Sequence, residues 1–100
     1  MNANQRMLLT GLTPDKLYSL SVRYSGFGGD KVEPFPLEAQ ADNAVIEEGA
    51  TQSFNWGQKD MLWRIVFKPT AAKCEIRLLH HVDKRTYLSA ESYTLEERAP

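Results

Sequence analysis

The chain has 100 residues, 42% of them hydrophobic, with twelve lysines and arginines against thirteen aspartates and glutamates and a net charge of -1. A chain of this length buries enough surface to fold as one domain without a disulfide or metal staple, and this composition excludes wholesale disorder. The even charge balance supplies no general field to gather nucleic acid or an anionic membrane, so neither is expected as a partner.

The opening "MNANQRMLLT" carries one cation and an apolar run of three residues, far short of a secretory signal. No stretch approaches the roughly twenty apolar residues of a membrane span. The compartment is left open, and so is whether residues precede Met1. Arg6 to Thr10 read as a short strand. Thr13-Pro14-Asp15-Lys16 follows as a tight turn, Pro14 supplying its fixed φ and Asp15 a side chain able to bond nearby backbone, so that the first two strands form a joined pair. From Leu17 to Tyr24 the alternation is strict. Tyr18, Leu20, Val22 and Tyr24 take one face and Ser19, Ser21 and Arg23 the other, as in a half-buried strand.

"SGFGGDK", Ser25 to Lys31, reads as a glycine turn; it lacks the Lys-Ser/Thr end and following helix of a phosphate loop. "VEPFPLEAQA" alternates Phe35, Leu37, Ala39 and Ala41, but Pro34 and Pro36 each remove a ladder donor, which predicts an edge strand or an extended loop. Asp42 to Asp60 is the least periodic part and reads as a long connection. "MLWRIVFKPT" then alternates Trp63, Ile65 and Phe67 against Leu62, Arg64, Val66 and Lys68, and "KCEIRLLHH" alternates Cys74, Ile76, Leu78 and His80 against Glu75, Arg77, Leu79 and His81, as two strands joined at Pro69 to Ala72. "RTYLSAESYTLEE" closes the chain as a broken strand. These elements predict an all-β antiparallel sandwich of roughly six to eight strands, spread over residues 1–100 as one domain or as a minimal version of a larger one.

Little in this pattern supports catalysis. His80 and His81 are adjacent and point to opposite sides of a strand, so they cannot act on one ion or proton together. Cys74 and His80 share a face but lie roughly 20 Å apart along it, beyond the reach of a thiol and its base. Glu47-Glu48 and Glu96-Glu97 read as solvated charge, and the lone Cys74 as a small buried hydrophobe.

The order "L.GL.P...Y.LSVRY", "W...F.P.A....IRL.H" and "YLSAESYTL", covering about Met7 to Leu95, resembles the later two thirds of a galactose-binding-like jelly roll, the fold of many carbohydrate-binding modules. Fibronectin type III domains share "L.GLTP...Y.L.V", though late in their chain. The jelly-roll resemblance implies a noncatalytic module with Tyr18, Leu20, Val22, Trp63, Ile65, Phe67, Ile76 and Leu78 in its core. It also implies a polar sheet face carrying Ser19, Ser21, Arg23, Arg64, Glu75 and Arg77, on which a glycan can lie. Because sugar recognition sets aromatic rings against pyranose faces beside groups that bond hydroxyls, the expected ligand residues are Arg23, Phe27, Trp56, Arg64, Glu75 and Arg77. The family's upstream calcium segment has no counterpart, and Ser89, Ala90 and Glu91 stand where its closing Asp-Asp pair would be, so no metal and no other cofactor is expected. The rival reading is a self-associating structural subunit, as in virions or fibres. Sheet edges with no visible guard would then pair between copies of the chain.

Overall fold

The computed structural model describes the backbone of residues 5–29, 35–54, 61–80 and 86–98, and the side chains of 5–24, 36–54, 61–79 and 90–98. Eight strands occur in it: β1 (Gln5–Leu9), β2 (Tyr18–Gly29), β3 (Phe35–Asp42), β4 (Ala44–Glu48), β5 (Thr51–Phe54), β6 (Met61–Pro69), β7 (Cys74–His80) and β8 (Thr86–Glu97). They form two four-stranded sheets, ordered β1-β7-β3-β5 and β4-β6-β2-β8, with every pairing antiparallel. The molecule is the all-β sandwich that its alternating runs predict. Among the described residues no helix is long and apolar enough to cross a membrane.

Odd-numbered strands make one sheet and even-numbered strands the other. Each described connection therefore crosses the sandwich, and no strand pairs with its neighbour in sequence. The Thr13–Lys16 turn shows how such a crossing is made. The Lys16 N–H donates to the Thr13 carbonyl at 3.2 Å, and Asp15 has φ of 65°, the pairing and backbone of a turn with Pro at its second position and a left-handed third. The Asp15 N–H donates to the Pro69 carbonyl at 2.8 Å, and the Thr13 N–H to the buried Tyr18 hydroxyl at 2.8 Å, which fixes the turn on the end of β6. The turn stands where expected, but the strands it joins are not partners: β1 pairs with β7, and β2 with β6 and β8.

Other expectations are corrected. Ser25 to Gly29 do not reverse the chain; they prolong β2 against Thr86–Ser89 of β8, after register shifts on either side of Tyr24. Glycine suits this irregular ladder as well as it suits a turn. β3 is interior to its sheet, pairing through Phe35–Glu38 with β5 on one side and through Leu37–Asp42 with β7 on the other. Pro36 is tolerated because it precedes the first β7 pair, at Leu37. The supposed long connection holds β4 and β5, with Asn43 (φ 61°) and Gly49 (φ 80°) turning the chain before and after β4.

The core lies between the sheets. Tyr18, Leu20, Val22 and Tyr24 of β2, Met61, Trp63, Ile65 and Phe67 of β6, and Cys74, Ile76 and Leu78 of β7 are all buried, with Leu37, Ala39 and Phe54 facing them. Each fully buried aliphatic side chain contributes about 1.5–3 kcal/mol of transfer free energy. The Tyr18 and Phe67 rings stack at 5.8 Å, and Tyr24 meets Phe54 of the opposite sheet edge-on at 5.6 Å. Trp63, fully buried, donates its indole N–H to the Gly49 carbonyl at 2.7 Å, so the polar atom of the largest core side chain is satisfied.

Candidate functional site

Inward-facing positions being spent on the core, each sheet presents its alternate residues to solvent. Pairing between β1 and β7 and between β3 and β7 brings Arg6, Glu75, Arg77 and Asp42 together on the outside of the β1-β7-β3-β5 sheet. There the charges satisfy one another. Arg6 donates from Nε and Nη2 to the two Glu75 carboxylate oxygens, each at 3.0 Å; Arg77 Nη1 reaches Asp42 Oδ2 at 2.7 Å and Glu75 Oε1 at 3.3 Å. The hydrogen bonds from Arg6, reinforced by Arg77, hold the Glu75 carboxyl below the ordinary carboxylate range.

The other outer face is arranged differently. Cross-strand pairing sets three rows across it: Glu48, Val66, Ser19 and Glu96; then Arg64, Ser21 and Thr94; then Leu62, Arg23 and Ser92. Short hydroxyl side chains on β2 and β8 lie among longer charged ones, and the result is a furrow. Adjoining depressions lie along it. The first, of about 620 Å³, is bordered by Leu17, Val66, Glu47, Glu48, Lys68 and Arg98 and by the Asp15–Lys16 turn. Two more, of about 200 and 190 Å³, share Arg64 and Glu96; Arg98 and Ser19 belong to the former and Arg23, Ser21, Ser92 and Thr94 to the latter. Arg98 is common to the first two, so the furrow continues from the turn to the row of Arg23 and Leu62.

The register shift between Ile46 and Glu48 sets two residues of β4 against one of β6, and both Glu47 and Glu48 border the wide end. Ser19 is only 7% exposed although it belongs to the outer face. Its hydroxyl has no hydrogen-bond partner among the described residues.

The expected ligand set is therefore divided. Arg23 and Arg64 stand together on the furrowed face, on diagonal positions of β2 and β6. Glu75 and Arg77 lie on the opposite side of the molecule, which corrects the expectation of one face carrying all four. The physical reason is that alternation tells which residues point outward but not which sheet a strand joins, and β7 joins the sheet without β2 and β6. Trp56 lies outside the described residues. Phe27 is placed by its backbone in β2 opposite Leu88, and its side chain lies outside them. Lys68, Ser92, Thr94, Glu96 and Arg98 border the furrow and were not expected there. The alternation of Ser92, Thr94 and Glu96 is the sequence signal that corresponds to them.

No protein-family model matches the chain, and no curated protein sequence matches it significantly. Among solved structures, the fold is similar to that of the C-terminal domain of EclA, a sugar-binding protein, with a TM-score of 0.71 and 21% sequence identity. The match covers 92% of this chain and 65% of that one. At such an identity the likeness shows a shared β-sandwich fold.

Proposed function

We propose that the chain is a noncatalytic carbohydrate-binding module whose ligand lies along the outer face of β6, β2 and β8. The observation that carries this reading is the continuous furrow, in which hydroxyls of Ser19, Ser21, Ser92 and Thr94 alternate with Arg23, Arg64, Arg98 and the carboxylate of Glu96. Saccharide hydroxyls both donate and accept, and a surface mixing guanidinium, carboxylate and hydroxyl groups meets both demands. The fold shared with the EclA domain supports the same reading. So does the chain's path, crossing between sheets at each described connection, which agrees with a galactose-binding-like jelly roll. The noncatalytic part rests on the furrow's acids. Glu48 and Glu96 end one row with β6 and β2 between them. Three strand spacings put their backbones about 14 Å apart, and none of the three depressions is lined by both.

Affinity electrophoresis through gels containing a panel of neutral and acidic polysaccharides tests the proposal. Retardation by at least one of them, weakened by Arg64→Ala and by Trp56→Ala or Phe27→Ala, is expected; unchanged mobility in every gel overturns it.

A second reading, self-association through a sheet edge, is favoured by β8. Among the described residues this twelve-residue strand pairs with β2 alone, and Tyr93 and Leu95, each 40% exposed, stand opposite the buried Val22 and Leu20. In this reading a second copy adds its own β8 edge to edge and covers both side chains. Multi-angle light scattering would then give a dimer that Leu95→Lys dissociates, whereas a monomer at all concentrations removes the reading.

A further inference from the structure

We infer that the saccharide held by this furrow is acidic, carrying carboxylate or sulfate groups; the inference rests on the carbohydrate-binding reading and narrows its ligand class. The two outer faces differ in how they use arginine. On one, Arg6 and Arg77 are consumed by Glu75 and Asp42. On the other, Arg23, Arg64, Lys68 and Arg98 form no ion pair with any described residue.

In the two smaller depressions, three arginines, Arg23, Arg64 and Arg98, face one carboxylate, Glu96, a local excess of two positive charges in a chain whose net charge is -1. Arg23 and Arg64 are diagonal neighbours across β2 and β6, so their guanidinium groups repel unless an anion lies between or above them. Guanidinium forks match the paired oxygens of a carboxylate or sulfate, which makes them selective for such groups over neutral hydroxyls. Ser19 is the independent sign of a ligand. Ser19, a residue only 7% exposed in the floor of the furrow and with a hydroxyl that has no partner among the described residues, offers a donor to an oxygen-rich group lying over it. The acids Glu47 and Glu48 border only the wide end and leave the middle to the arginines.

Binding is measured by affinity electrophoresis and by calorimetry with four probes: polygalacturonate, dextran sulfate, unsubstituted dextran and a single-stranded oligonucleotide, each at ~20 mM and ~200 mM salt. The expected result is binding of polygalacturonate or dextran sulfate, the stronger of the two identifying carboxylate or sulfate as the recognised group, and loss of most of that binding at the higher salt. Arg23→Gln and Arg64→Gln each weaken it about tenfold or more, as expected for lost charge-assisted hydrogen bonds. Arg77→Gln, on the opposite sheet, leaves it unchanged. If dextran or another neutral polysaccharide binds and both acidic ones do not, the inference about charge is overturned while the carbohydrate-binding reading stands. If no polysaccharide binds, both fall. An oligonucleotide bound as tightly as the acidic glycans also overturns the inference, since the site would then recognise polyanions rather than saccharides.

Discussion

Gly49 carries more of the fold than its size suggests. Its φ of 80° is left-handed, a methyl group added there would meet the Arg64 carbonyl oxygen, and its own carbonyl accepts the Trp63 indole hydrogen. Gly49→Ala is expected to cost about 1–2 kcal/mol from the backbone alone, more with the clash, read as a lower urea midpoint at unchanged slope. Cys74 sits at 1% exposure on the inner face of β7, in the core between the two sheets, and burial pushes its thiol pKa up. Both effects withhold the thiolate, so the native protein should resist Ellman's reagent and react in one step with unfolding in urea. A rapid native reaction would show that the thiol is reachable without opening the sandwich.

At the scale of elements, the paired face of β1, β7 and β3 gives a pH dependence of definite sign. The folded-state pKa of Glu75 is lowered by its arginine partners, so the unfolded chain binds more protons as the pH falls through the carboxylate range. That contribution to stability is complete above the ordinary glutamate pKa and is lost as the pH falls through the lower, folded value. Glu75→Gln should flatten this part of the stability profile between neutral and acid pH, and an unchanged profile would place the acid sensitivity elsewhere. The same strands show what could be read beforehand. β2, β6 and β7 were legible because their inward residues recur at every second position: Tyr18, Leu20, Val22 and Tyr24, Trp63, Ile65 and Phe67, and Cys74, Ile76 and Leu78 are buried as expected, although Val66 on the alternate face of β6 is buried as well. β4 and β5 were not, being short, half-exposed and separated by Gly49 and Ala50, so no window of alternation stands out. Of the site, Arg23 and Arg64 were legible as outward residues of one polar face; that β6 pairs with β2 and makes them neighbours was not. Glu75 and Arg77 were misplaced because sheet membership depends on contacts distant in sequence, which local alternation does not encode.

For the molecule as a whole, the two sheets differ on their outsides: one closed by its own ion pairs, the other furrowed and positively charged in its middle. A ligand on the furrow would touch β6, β2 and β8 at once and so raise the stability of the folded state by mass action; a thermal shift should accompany any true binder and be absent for Arg23→Gln with Arg64→Gln combined. The alternation of strands between sheets has a further consequence, for how the chain assembles. β1 waits for β7, and β2 for β6, before either has a ladder to join. The earliest pairing that a growing chain can complete among the described strands is β3 with β5, which closes only at Phe54. Loop closure thus comes before reward nearly everywhere, and refolding should take milliseconds to seconds rather than microseconds. On the ribosome, the first half of this protein would be a nascent chain with no sheet to lean on, dependent on chaperones or delay until its last third emerges.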